Sequence, residues 1–245
     1  MIKVNNIELI EDLYDGVTIN NKTILKGLDS FENNLLALLE NLRGKKLLWI
    51  KLDIKDSSLI PILTQLGFVF YSCNQKDITL VKKLIKSAII PVAKNHTIGV
   101  GAVVINENKL LVIKDCIRDV YRLPGGYIDN EESISVAAKR EVLEETGVKI
   151  DIESIISLAH SYPSAFDESN FYIVAVAKAL SFGINISDTD EITEAKWIDI
   201  EEFFNTENII EYNKEVVKIA LEKKGLKIVD KRYFNSSRVQ EFFTI

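Results

Sequence analysis

The stretch that decides the reading is Gly126–Val148, "GYIDNEESISVAAKREVLEETGV". From Ser133 to Thr146 it holds good helix formers and no proline, and Gly147 follows where a helix would end. The spacing therefore predicts a helix over that span. On it Glu141, Glu144 and Glu145 stand at i, i+3 and i+4, projecting from neighbouring positions of one face. Like charges at those spacings repel, and crowding raises their pKa values unless something positive sits among them. Arg140, four residues before Glu144, offsets only part of that charge.

A hard divalent cation is the natural remedy. Mg²⁺ takes oxygen ligands and keeps several waters, so a few carboxylates plus substrate phosphates usually hold it. Leu123, Pro124, Gly125 and Gly126 come just before. Those glycines let backbone approach the same place closely, and one of their carbonyls could add an oxygen ligand. A glutamate-rich helix taken alone is more often a solvated face, so "EVLEE" does not decide the matter; the whole string does.

Composition sets the frame. A chain of 245 residues makes one large domain or two modest ones. Hydrophobic and charged fractions of 47% and 27% are those of a globular protein. A net charge of −6 argues against a nucleic-acid backbone as the main partner, while leaving room for a polyanionic small molecule bridged by divalent metal. Cys73 and Cys116 are far apart and in no ligand-like spacing, and read as free thiols of a reducing compartment. The start, "MIKVNNIELIEDLYDG", has acids where a signal peptide is basic, then apolar. No apolar stretch approaches the roughly 20 residues of a membrane span. The expectation is a soluble, cytoplasmic protein with no membrane partner.

Along the chain, residues 1–92 read as a small α/β domain, 93–225 as the domain carrying the quoted stretch, and 226–245 as a tail of unknown role. Phe31, Leu35, Leu38, Leu39 and Leu42 fall at helical spacing, with Ser30 as the expected N-cap and Gly44 as terminator. "KLLWIKLDI" is strand-like, and "SSLIPILTQLG" a short helix with Pro61 near its first turn. "FVFYS" and "DITLVKKL" suggest a hairpin. "IIPVAKNH", residues 89–96, is the expected linker. Strands are expected over "TIGVGAVVIN" and "KLLVIKD", joined by a tight turn at Glu107 and Asn108, and near 149–160, 170–180 and 192–199, with a helix near 213–224. Residues 227–245 are too mixed to assign.

Gly126, Glu132, Arg140, Glu141, Val142, Glu144, Glu145, Gly147 and Val148 match the Nudix box at every specified position. A chance match is on the order of one in ten million for this length. The chain thus resembles the Nudix hydrolase superfamily over about residues 95–205. The resemblance implies an α/β/α sandwich around a mixed sheet, with the box as loop–helix–loop. It also implies hydrolysis of a nucleoside diphosphate linked to another moiety, with Mg²⁺ or Mn²⁺ as cofactor. Carried over residue by residue, Glu141, Glu144 and Glu145 would hold metal with help from a Gly125 or Gly126 carbonyl. Glu132 and Arg140 would brace the loop against the helix.

The longer run "LLWIKLDIKDSSLIPILTQLGFVFYSCNQKDITLVKKL" followed by "HTIGVGAVVINENKLLVI" is similar to two-domain Nudix proteins of plants and animals related to the fibroblast-growth-factor antisense protein. In those, a small α/β domain resembling part of an acetyltransferase precedes the hydrolase. Plant members act on ADP-ribose and NADH. Residues 1–90 contain no glycine-rich pyrophosphate loop, which leaves covering the active site or forming a homodimer as roles for the first domain.

The expected reaction is attack of water on one phosphorus of an ADP-X compound, giving AMP plus phospho-X. The resemblance directs the search for a general base to "DTDEITEAKW", where Glu191 and Glu194 are candidates and Glu191 is preferred, Glu194 falling within a strand. Pro163, in "SYPSAF", stands where ADP-ribose-cleaving relatives often carry a proline. Tyr162 or Phe166 would stack on adenine, or both are core aromatics beside a loop proline. Arg118 and Arg122 are candidates to reach phosphate or are surface cations. His96 and His160 lack acids or cysteines in ligand spacing and read as structural; Gly99 and Gly101 read as a strand start rather than a dinucleotide loop. Two further readings stay open: a house-cleaning hydrolase of oxidised nucleotides, coenzyme A or capped RNA, and a non-catalytic nucleotide-binding module.

Overall fold

The computed structural model describes residues 2–4, 7–19, 28–117, 119–162, 168–207, 209–222, 224–229 and 241–245. The chain divides into two compact units, Met1–Asn95 and His96–Ile245.

The first unit is a six-stranded sheet with helices. Its strands are β1 (Ile2–Val4), β2 (Ile7–Glu11), β3 (Gly16–Ile19), β4 (Leu47–Asp53), β5 (Val69–Cys73) and β6 (Asp77–Lys83), in the order β1-β2-β3-β4-β6-β5. Only β3 and β4 run parallel, because helix α1 (Leu28–Asn41) lies between them in sequence and carries the chain back. Phe31, Leu35 and Leu38 of α1 are buried against Leu9, Val17 and Leu48 of the sheet, as their helical spacing requires. α1 begins before Ser30, so that residue sits inside the helix rather than capping it. Gly44 adopts φ +81 just beyond the helix end. Pro61 occupies the first turn of α2 (Ile60–Gln65), and β5 and β6 form the expected hairpin.

The second unit has a five-stranded mixed sheet in the order β11-β12-β7-β8-β13. Those strands are β7 (His96–Asn106), β8 (Lys109–Asp115), β11 (Ile150–Ser161), β12 (Ser169–Ala179) and β13 (Ile192–Asp199); the short β9 (Tyr121–Arg122) and β10 (Gly125–Tyr127) pair with β8 and β7. β12 and β7 are parallel and the other pairs antiparallel. Alternation along β7 builds three layers. Ala102 and Val104 pack with Val142 of α3 (Ile134–Thr146), while Val103 packs with Phe203 of α4 (Ile200–Asn205) and Val216 and Val217 of α5 (Glu211–Leu221). Helices on both faces of a mixed sheet make the α/β/α sandwich that the resemblance implied.

Two details were not legible from spacing. Strand β7 starts at His96, and His96 and His160 meet with Nε2 atoms 3.1 Å apart, both rings stacked on Phe171. In the C-terminal stretch, β14 (Lys227–Ile228) pairs with β15 (Phe243–Thr244), and Leu226 exchanges backbone hydrogen bonds with Ile155 at 2.8 Å.

Candidate active site

Helix α3 is fixed at both ends. Ser133 accepts the Val136 N–H at 3.3 Å, and Gly147 closes the other end at φ +76 with its N–H on Leu143. On the loop before it, Asp129 N–H binds Glu132. Glu132 takes a two-pronged grip from Arg140, at 2.9 Å from Nε and 2.8 Å from Nη2. Arg140 also reaches the Tyr127 carbonyl at 3.0 Å, tying loop to helix. The guanidinium holds the Glu132 carboxyl below its ordinary range. The same guanidinium donates to Glu141 at 2.7 Å and Glu144 at 3.2 Å.

The three helix carboxylates do not share one environment. Glu144 and Glu141 are both partly buried, with side chains 47% and 16% exposed, and Glu145 is only 3% exposed. Glu145 Oε2 accepts the Gly125 N–H at 2.6 Å, and Oε1 accepts Arg122 Nη2 at 3.2 Å. Burial outweighs both partners and pushes the Glu145 carboxyl up to about 8. Desolvation also raises Glu141, against the pull of Arg140.

A cavity of about 780 Å³ opens over this corner, lined by Gly125, Gly126, Glu141, Arg122, Glu191 and Tyr172 among others. Glu191 lies 60% exposed with Oε1 3.7 Å from Arg122 Nη2. Glu194 instead takes the Tyr121 hydroxyl at 2.9 Å and does not line the cavity. Arg122, read from sequence as reaching phosphate, has three donors committed: Nε to Asp115 at 3.1 Å, Nη1 to the Gly125 carbonyl at 3.0 Å, and Nη2 to Glu145. It braces Asp115, Gly125 and Glu145 while lining the cavity. Tyr162 is 72% exposed with its ring 4.9 Å from His160, and it does not line the cavity. Pro163, Phe166 and Arg118 lie outside the described residues.

Several cavity residues escaped sequence reasoning: Asp115, Asn170, Tyr172, Tyr212 and Asn213. They come from β8, β12 and α5, distant in sequence from the quoted stretch. The glycine pair Gly99 and Gly101, opposite Tyr172, was the one visible trace.

Among the described residues, no three acidic, histidine or cysteine side chains form a ready metal-binding group. The two arginines occupy the carboxylates instead. The donor chemistry nonetheless fits a hard divalent cation. All the nearby donors are oxygens, Glu145 is buried with too little positive charge beside it, and a Cβ on Gly126 would come within 2.6 Å of the Glu141 carboxyl, filling the cradle.

Comparison with known proteins agrees with this corner. The pattern described as "NUDIX domain" matches residues 95–218, slightly over half of the chain, and that described as "Nudix hydrolase domain" matches residues 7–84. Nudix hydrolase 8 of Arabidopsis thaliana is 31% identical over 80% of this chain, which spans 56% of that relative's length. Nucleoside diphosphate-linked moiety X motif 6 of Homo sapiens is 30% identical over 86% of this chain and 70% of its own. Nudix hydrolase 7 of Arabidopsis thaliana is 31% identical over 82% and 76%. A solved NUDIX hydrolase from Nitrosomonas europaea aligns with 58% of this chain and 99% of its own, at 22% identity and a TM-score of 0.49. With a complete box on the capped helix α3, a family pattern over residues 95–218 and about 30% identity to these curated relatives over most of its own length, the chain belongs to the Nudix hydrolase family.

Proposed function

We propose that the protein hydrolyses a nucleoside diphosphate linked to another moiety, ADP-ribose or NADH in the first place, to AMP and a phosphorylated product. The observation that carries this is Glu145, buried, short of positive charge, and bonded to Arg122 and Gly125, which line a cavity large enough for a nucleotide. Glu141, Glu144 and Glu145, with a Gly125 or Gly126 carbonyl, would hold Mg²⁺ or Mn²⁺. A cation bound there supplies charge neutralisation on the diphosphate and lowers the pKa of water.

The chain's own groups do the rest. Arg140 and Glu132 hold the box loop on α3, so the carboxylates keep their positions while substrate enters. Arg122 orients Glu145 and Glu191 together. Glu191, on the cavity wall, accepts the proton of the attacking water. The water oxygen bonds to one phosphorus, the bridging P–O bond breaks, and phospho-X departs with the bridging oxygen. Tyr212, which lines the cavity with its hydroxyl 3.0 Å from Ser157, offers the aromatic face for a base that Tyr162 does not. The human relative's name, with its nucleoside diphosphate-linked moiety, supports the substrate class. The first unit is assigned a covering or dimer-forming role. Among the described residues no helix is long and apolar enough to cross a membrane; the cytoplasm is the proposed setting.

The test is hydrolysis of ADP-ribose, NADH, NAD⁺, dinucleoside polyphosphates, coenzyme A and 8-oxo-dGTP with Mg²⁺ or Mn²⁺, repeated with Glu145→Gln and in labelled water. Cleavage of ADP-ribose or NADH, abolished by the substitution and placing label in a product phosphate, is expected. Preference for coenzyme A or 8-oxo-dGTP would move the protein to house-cleaning. Tight binding without turnover would make it a binding module.

A further inference from the structure

Tyr172 lies in a slot cut by two glycines. On β12 it stands in register with Gly99 of the parallel strand β7. A Cβ on Gly99 would come within 2.8 Å of its ring, and one on Gly101 would collide with its hydroxyl oxygen. Glycine inside a strand costs roughly 0.5–1 kcal/mol relative to alanine. Here both glycines let the ring lie along β7 and carry its hydroxyl over Gly101. Gly101 in turn pairs with Gly125 of the box loop.

That placement makes Tyr172 part of the cavity wall. Tyr172 lines the cavity and lies within electrostatic reach of Arg122, Glu145, Glu141 and Tyr212. Burial pushes the phenol well above its ordinary pKa, so it stays protonated. Among the described residues the hydroxyl has no hydrogen-bond partner. A phenylalanine would pack there as well, and the hydroxyl is not sealed off among the buried atoms that lack a partner. It is therefore free to bond a group that enters the cavity it lines. Once a cation binds, the neighbouring Glu141 and Glu145 are carboxylates engaged with it, and Arg122 is committed to Asp115, Gly125 and Glu145. A lysine at this place would pair with the carboxylates and compete with a cation. A neutral donor does neither.

We propose that the Tyr172 hydroxyl is a substrate-binding donor that hydrogen-bonds a non-bridging phosphate oxygen of the diphosphate. This rests on the proposed function in one respect, that a diphosphate occupies the cavity.

The experiment compares wild type with Tyr172→Phe, which keeps the ring, in three measurements: calorimetric binding of imidodiphosphate with Mg²⁺, binding of Mn²⁺ alone, and turnover of ADP-ribose and NADH. Loss of a hydrogen bond to a charged oxygen should weaken imidodiphosphate roughly 10- to 100-fold, with Mn²⁺ binding and melting temperature nearly unchanged. Equal imidodiphosphate binding in the two proteins would overturn the proposal. So would a large drop in melting temperature, which would make the hydroxyl a structural group. If wild type binds no imidodiphosphate, this proposal and the diphosphatase reading fail together. If it binds imidodiphosphate and Tyr172→Phe binds it weakly, yet neither nucleotide is cleaved, Tyr172 stands and only the substrate choice falls.

Discussion

Arg122 Nη2 and Glu145 Oε1 meet at 3.2 Å across 23 residues of chain, and this one cation does not compensate the burial of Glu145. The carboxyl titrates at about 8 in the fold, against about 4.3 in an unfolded chain. Between those values the folded state holds a proton that the unfolded state has lost. Stability of the metal-free protein therefore falls as pH rises through that window and levels off above it, a change of several kcal/mol in all. Thermal melts in chelator from about pH 5.5 to about 8.5 should show this decline. Glu145→Gln should flatten it; an equally steep decline in the variant would remove Glu145 as the cause. Metal uptake below pH 8 should release a proton, visible as a buffer-dependent heat.

Arg140 is the second hinge of the site. It serves Glu132, Glu141, Glu144 and the Tyr127 carbonyl at once, and the Glu132 side chain is only 10% exposed. Arg140→Ala strands that carboxylate, which typically costs roughly 3–5 kcal/mol. A fall in melting temperature of about 6–20 °C is expected for a unit of this size. Arg140→Lys should lie between, since an ammonium cannot reproduce the planar fork. Adding Glu132→Gln to Arg140→Ala should recover part of the loss. No recovery would mean that the pair is not coupled.

What could be read beforehand followed from local chemistry. The helix of the box and its end at Gly147 are written in adjacent residues, as is strand β7, although Ser133, read as the first helical residue, proves to be the N-cap. The i, i+3, i+4 spacing placed Glu141, Glu144 and Glu145 together, but spacing carries no depth, so it could not tell half-buried Glu144 from fully buried Glu145. Arg122 was visible as a cation and invisible as a brace, because Asp115 and Glu145 reach it only once β8, β9 and α3 have assembled. Ser30 misled because capping is set by where the helix starts, and α1 starts earlier. Tyr172 was illegible for the same reason as Arg122: parallel pairing of β12 with β7 is a tertiary fact.

In the first unit, the Asp12 carboxylate gathers three donors. Its Oδ1 takes the N–H groups of Tyr14 at 2.7 Å and Gly16 at 2.9 Å, and Oδ2 takes Trp49 Nε1 at 2.8 Å. Asp12→Ala should destabilise this unit by roughly 1–3 kcal/mol and shift Trp49 emission, read in a Trp197→Phe background. Asp12→Asn keeps an acceptor oxygen and should do about half the damage. Identical emission and melting in Asp12→Ala would show that the turn holds without the carboxylate.

The glycines of the box loop separate folding from chemistry. At Gly125, with φ +148, an added Cβ would strike the Val100 carbonyl and the Gly101 Cα, both backbone that cannot give. At Gly126 the obstacle is the Glu141 carboxyl at 2.6 Å, the far end of a flexible side chain. Gly125→Ala should therefore lower the melting temperature strongly, by an amount typical of a clash with fixed backbone, roughly 2–4 kcal/mol. Gly126→Ala should melt within a few degrees of wild type while pushing Glu141 out of the cradle. Its Mn²⁺ affinity should fall roughly 10-fold and its turnover about 100-fold or more. Full turnover in Gly126→Ala would mean that Glu141 does not work from the position it holds beside this glycine.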